Sequence, residues 1–300
     1  MAELPFTDTH VHFYDLTEPA LRYDWLRPDA PVDPLTGPDA PIRAQRYWAD
    51  DFLAETRFHN VGAVVHVQAA IGTPNPVDET RWLQAFADRL GYPQAIVAYV
   101  DLTSADAAET LDRHAAYPNF RGVRDLRYDG YLSDPAWRRG YARLEGRGIV
   151  VCDDPAVEEM EVARDVVARH PGTTYCVDHA GLPTQRDAEY FARWRAGMRA
   201  LAAAGNTVVK ISGLGMGDHR WTVDSLRPWV LECIEAFGVE RSFFGTNWPL
   251  DRLYSSYGDV VDAYAEIIRD FTADEQRALF AGNANRIFRI DADADESTPP

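Results

Sequence analysis

Lysine is almost missing from this chain. Of 30 basic residues among 300, Lys210 is the sole lysine and the others are arginine. Arginine is a fixed planar fork, whereas lysine is a compact, tunable point charge. The single exception therefore marks position 210 as one that needs the second kind. Positive charge as a whole is also scarce, with 47 acidic residues and a formal net charge of -17. Phosphate backbones and anionic membrane surfaces call for a basic face, so the balance argues against both as partners. No apolar run approaches the length of a membrane span. The opening "MAELPFTDTH" has neither a basic n-region nor an apolar h-region, so it does not read as a signal peptide. Cysteine is rare as well: Cys152, Cys176 and Cys233 are an odd count whose spacing matches no zinc knuckle. They read as buried small hydrophobes with reduced thiols, in a cytoplasmic setting.

What is present is a strong alternation of apolar runs and amphipathic segments. Strands are expected near residues 4–12, 61–69, 95–101, 121–125, 148–152, 173–178, 207–212 and 242–246. Helices are expected at 48–59, 78–91, 104–116, 134–147, 155–170, 186–204, 222–237 and 257–269, with a further one at 273–287. Asp134-Pro135 and Asp154-Pro155 each read as an N-cap before a proline at the first helical position. Eight strands alternating with eight helices imply parallel pairing, and at this length the closed form is a single (β/α)8 TIM barrel over residues 1–290. The tail 291–300, "DADADESTPP", is expected to be disordered. The first βα connection is long. Residues 16–47 hold six prolines, with Tyr23 and Trp25 near the start. Such a loop in a barrel is expected to cover the catalytic face.

Chemistry in such barrels sits at the carboxyl ends of the strands. Strand 1 ends with His10 and His12, strand 2 carries His66 and Gln68, and strand 4 offers Arg124 between Arg121 and Arg127. Strand 6 ends with Asp178-His179, strand 7 with Lys210 and Ser212, and strand 8 near Asn247 and Asp251. His10, His12 and His179 form a metal-ligand set of the kind zinc takes in catalytic sites, three protein ligands plus water. Arg124 is placed to clamp a carboxylate, with Arg127 able to join it. His66 and Gln68 share a strand face and read as substrate contacts or as supports behind the His-X-His pair. Lys210 reads as an oxyanion stabiliser, with an ion pair to Asp178 as the bland alternative. His219 and Trp221 read as solvated loop residues.

The stretches "DTHVHFYD", "FRGVRDLR", "VDHAG", "VVKISGL", "FGTNWPLD" and "LFAGNANRIFRI" resemble, in that order, the amidohydrolase superfamily, and within it the lactonase and decarboxylase branch. The resemblance spans residues 5 to 290. It implies a hydrolase opening a small lactone, from a sugar acid or a carboxylated ring-cleavage product. The alternative is a non-oxidative, metal-dependent decarboxylase of an aromatic or unsaturated acid. It places His10, His12, His179 and Asn247 around the metal or the reactive carbonyl. Asn247 departs from the family's aspartate, and an amide cannot accept the proton of the attacking water. Two outcomes stay open: zinc or a similar divalent metal held by the histidines, or a metal-free site in which the histidines and Lys210 act directly. His12, His179, Lys210 and Asn247 are then the expected catalytic residues. His66, Gln68, Arg124, Tyr23, Trp25 and Asp251 are the expected substrate contacts, Asp251 doubling as a replacement base. The partner is a small anionic or polyhydroxylated molecule, and a barrel of this size is compatible with a homodimer.

Overall fold

The computed structural model describes residues 4–43, 45–125 and 128–290. The eight expected strands are all there, as β1 Phe6–Val11, β2 Val61–Val67, β3 Ala95–Tyr99, β4 Phe120–Arg124, β5 Val150–Asp153, β6 Thr174–Val177, β7 Thr207–Ile211 and β8 Ser242–Phe244. They pair in sequence order, and every pairing is parallel. Runs such as "VGAVVHV" and "TVVKI" are apolar on both faces because each strand is covered on both sides, the mark of a parallel sheet. The seam between β8 and β1 closes mainly through side chains. The Asp8 carboxylate accepts from the Thr246 N–H at 2.9 Å, the Thr246 hydroxyl at 2.6 Å and the Tyr257 hydroxyl at 3.1 Å. Thr9 donates to the Phe244 carbonyl at 2.7 Å, and His12 N–H donates to the Trp248 carbonyl at 2.7 Å.

Eight helices follow the strands: α1 Ala49–Thr56, α2 Val77–Leu90, α3 Ala107–Ala115, α4 Pro135–Ala142, α5 Met160–Val167, α6 Ala188–Ala202, α7 Val223–Phe237 and α8 Tyr257–Ile267. Asp134 caps α4 as expected, accepting from the Ala136 N–H at 2.7 Å. Asp154 is a correction: α5 begins only at Met160, after a short 3-10 turn at Val157–Glu159, so Asp154 is not the N-cap of that helix. The expected helix 273–287 is α9 Ala273–Arg277 and α10 Asn283–Phe288 joined by a π turn, Ala278–Gly282. The C-terminal helix closes the amino end of the barrel. Ala284 and Phe288 pack with Ala63, Val65, Ala95, Val150, Val208 and Phe243 in one apolar cluster.

The long first loop is clasped at its base by an antiparallel ribbon, Tyr14–Asp15 with Arg46–Tyr47. Its far part is pinned across the barrel mouth. Asp24 N–H donates to the Ile71 carbonyl at 2.9 Å, Tyr254 donates to the Thr36 carbonyl at 2.8 Å, and His219 donates through Nε2 to the Leu35 carbonyl at 2.8 Å. His219, expected to be a solvated loop residue, is exposed as expected, and it also stacks on Tyr254 and holds the first loop down. No helix among the described residues is long and apolar enough to cross a membrane. The 291–300 tail and Arg127 lie outside the described residues.

Candidate active site

One cavity of about 580 Å³ opens at the carboxyl ends of the strands, between the barrel and the first loop. Its wall includes His12, Gln68, Arg124, Asp154, His179 and Asn247, and its roof includes Trp25 and residues 30–37. The long loop is thus a roof over the strand ends.

The imidazoles gather as the spacing suggested. The His10 ring centroid lies 4.9 Å from that of His12 and 4.3 Å from that of His179. His12 donates from Nδ1 to the Val67 carbonyl at 2.8 Å. A carbonyl only accepts, so Nδ1 carries the proton and Nε2 keeps its lone pair. His10 is wholly buried; its Nδ1 lies 3.5 Å from Lys210 Nζ and 3.7 Å from Asp178 Oδ2, and its Nε2 has no partner among the described residues. Burial, then the neighbouring positive charges, holds His10 and His12 well below the usual imidazole range, so both are neutral at neutral pH.

His179 sits in a left-handed conformation, φ 52, and is followed by Ala180 at φ 54 and Leu182 at φ 44. Asn247 is left-handed too, φ 60. Such backbone costs an L-residue about 1–2 kcal/mol. Four of the five described non-glycine residues with positive φ thus cluster at this site. His179 turns its Nδ1 to the Ser212 hydroxyl at 3.0 Å. Position 213 must be glycine for this: a Cβ there would stand 2.5 Å from His179 Nδ1.

Asn247 donates from Nδ2 to Asp251 Oδ1 at 2.9 Å, which leaves its buried Oδ1 without a partner among the described residues. Asp251 itself is not on the cavity wall. It lies behind the amide, where burial pushes its carboxyl up to about 7. Its place makes it the residue that fixes which end of Asn247 faces inward, rather than a substrate contact.

Three further expected residues stand away from the wall. Lys210 is fully buried inside the barrel, with Nζ 2.9 Å from Asp178 Oδ1 and 3.7 Å from Cys152 Sγ. Burial alone would lower its pKa, but the Asp178 carboxylate outweighs that and raises it, so the ammonium stays charged. The ion pair that the sequence left as the bland alternative is what the geometry shows. His66 is committed on both ring nitrogens: Nδ1 accepts from the Phe13 N–H at 3.1 Å, and Nε2 donates to Glu79 at 3.3 Å. It supports the wall from behind. Tyr23 is buried with its hydroxyl accepting from the Asp15 N–H at 3.2 Å and does not line the cavity, whereas Trp25 does. Arg121 turns away and bonds backbone carbonyls, including Phe120 at 3.0 Å. Cys152, Cys176 and Cys233 are buried free thiols.

Asp154 is the residue that sequence reasoning missed. It is buried and lines the cavity just past β5. The Asp-Pro pair drew it into a helix cap; the rule that strand ends carry the chemistry would have found it.

The donor set fits a divalent cation. Ligand atoms of His10, Asp178 and His179 lie within 4.8 Å of one another, His10 Nε2 is a buried orphan, and the His10 imidazole is neutral, as a ligand must be; His12, expected as the third imidazole ligand, is not part of this cluster.

A (β/α)8 barrel whose strand ends gather three imidazoles, an arginine and a carboxylate around one cavity has the layout of an enzyme barrel's active face. The amidohydrolase family profile matches residues 7–290, and the chain belongs to that family. The uncharacterized protein y4mH of Sinorhizobium fredii is 36% identical over 97% of this chain and 100% of its own. An L-fucono-1,5-lactonase of Burkholderia multivorans is 30% identical over 96% of this chain and 97% of its own. Among solved structures, an amidohydrolase from Burkholderia multivorans with bound zinc matches with a TM-score of 0.81 at 26% identity, covering 96% of this chain and 100% of that one.

Proposed function

We propose that this chain opens a small lactone by attack of water on the ring carbonyl. The observation that carries the reading is the convergence of His12, His179, Asn247, Asp154 and Arg124 on one roofed cavity. The 30% identity to a lactonase along nearly the whole chain supports it. His10, Asp178 and His179, whose ligand atoms lie within 4.8 Å of one another, would hold a divalent cation, with His12 beside them. Such a cation, when bound, polarises a carbonyl and lowers the pKa of water.

The protein's own groups do the rest. Asn247 accepts one O–H of the attacking water at its inward-facing Oδ1 and so aims the water's lone pair at the carbonyl carbon. The water's proton passes to Asp154, the buried carboxylate on the wall. The C–O bond of the ring breaks, and the departing alkoxide takes that proton back from Asp154. The product is a hydroxy acid whose carboxylate forms beside Arg124. That guanidinium has no ion pair among the described residues, and its positive charge already bears on His12. The roof, with Trp25, partly covers the cavity mouth.

Asn247 in place of aspartate weighs against decarboxylation by the metal-ligating route of that branch. A panel of five- and six-membered lactones, followed by acid release in weak buffer, tests the reading. L-fucono-1,5-lactone and other sugar lactones are expected to open above the spontaneous rate, with Asp154→Asn losing most of kcat and little of KM. No turnover across the panel would reject it.

A further inference from the structure

Gln68 stands between two anchored residues. The Val67 carbonyl takes the His12 proton at 2.8 Å, and the Ala69 carbonyl takes the Trp25 indole N–H at 2.8 Å. The backbone of Gln68 is itself fixed, its N–H donating to the Val97 carbonyl at 2.8 Å. Its side chain is 2% exposed and lines the cavity, yet neither Oε1 nor Nε2 has a partner among the described residues. Buried amides are normally satisfied. This one is held with a donor and an acceptor both open, in the same cavity that His12 lines.

We propose that Gln68 and Trp25 form a subsite that reads a vicinal diol on the substrate ring; the proposal rests on the lactone reading above. An amide presents one acceptor and one donor side by side, whichever way it is flipped. Two neighbouring hydroxyls are the matching complement: one donates to Oε1 and the oxygen of the other accepts from Nε2. A carboxylate only accepts and would leave Oε1 open; an ammonium only donates and would leave Nε2 open. Trp25 has its one polar atom occupied, so it offers the cavity only its apolar ring, suited to the C–H face of a sugar ring. Arg124 remains for the nascent carboxylate. The subsite therefore selects a polyhydroxylated lactone over a carboxylated ring-cleavage lactone, the two classes that the sequence left undivided.

The test compares kcat/KM for a polyhydroxylated δ-lactone and for δ-valerolactone, the same ring without hydroxyls, in the wild type and in Gln68→Leu. The ratio of the two is expected to fall at least about tenfold in the variant, the usual worth of one or two neutral hydrogen bonds in a buried site. An unchanged ratio overturns the subsite while leaving the lactone reading intact. Should the wild type open neither lactone, the lactone reading fails and the subsite is judged by calorimetry with gluconate and hexanoate. A preference for gluconate that Gln68→Leu abolishes supports it; no preference, or one that survives, overturns it. Should Gln68→Leu fail to fold, Gln68→Asn, which withdraws the amide by one methylene, takes its place in both assays with the same expectations.

Discussion

The two ends of the barrel handle polar atoms in opposite ways. At the amino end, α10 plugs the strands with Phe288 and Ala284, and the polar side chains around it are matched, although the buried Thr173 hydroxyl ahead of β6 has no partner among the described residues. Asn283 donates to the Val239 and Ser242 carbonyls at 2.7 and 2.9 Å, and Thr7 donates to Asn285 at 2.7 Å. At the carboxyl end, His10 Nε2, both amide atoms of Gln68 and Asn247 Oδ1 are buried without partners among the described residues. Each such atom costs about 1–3 kcal/mol. Left-handed backbone at His179, Ala180, Leu182 and Asn247 adds strain at the same end. One end is built for stability and the other holds groups in readiness for a ligand. Between them lies a middle layer: Lys210 Nζ pairs with Asp178 and sits 5.8 Å from the Phe288 ring centre, so the ion pair floors the site and roofs the plug.

Changes at the plug should cost stability and spare chemistry. Phe288→Ala is expected to lower unfolding free energy by about 3–5 kcal/mol through the cavity it leaves. Turnover per folded molecule should stay near wild type, as read from denaturant melts beside active-site titration. A loss of kcat of comparable size would erase the distinction between the ends. The middle layer should behave as a matched pair. Lys210→Met strands a buried carboxylate and is expected to cost about 3–5 kcal/mol, much of it recovered when Asp178→Asn is added. A double variant no more stable than the single one would show that the ion pair is not what holds this layer.

At the cavity the signs reverse. Arg124→Leu is expected to lower kcat/KM by roughly 10²-fold, the worth of a charge-assisted contact to a developing carboxylate, with little change in melting temperature. The smallest effect concerns pH. Burial raises the carboxyls of Asp8 and Asp251 to about 6 and about 7, above their unfolded values near 3.8. The native state then holds more protons than the unfolded state across this window. The stabilisation is complete below the unfolded pKa and is lost as pH rises through 6 to 7. Asp251→Asn removes one of these losses, so its melting temperature should gain on wild type between pH 5 and pH 8. A difference that stays flat with pH would mean that Asp251 does not titrate there.

Much of this was legible in the residues themselves. Alternation of apolar and amphipathic runs gave eight strands in the right order, because a strand buried on both faces has a distinctive composition. His12, Gln68, Arg124, His179 and Asn247 reach the cavity wall because strand ends face the mouth, with His10 buried just behind them. Lys210 was misplaced for a plain reason: the two-residue period says which side of a strand a residue faces, not how deep along the barrel axis it sits. For His66 the residues left two readings open, and its partners Phe13 and Glu79, from outside its own strand, favour the supporting one. Asp251 could not be set behind Asn247 without the turn at Leu250–Leu253. Asp154 was hidden by a cap signature whose helix starts six positions later.

Acid release from a polyhydroxylated δ-lactone, compared between the wild type and a His179→Asn variant of matched fold by circular dichroism, bears most directly on this account. The wild type should open the ring far faster than buffer, and the variant should lose on the order of 10³-fold in kcat/KM. Equal rates in the two proteins would mean that the gathered imidazoles are not where the chemistry takes place.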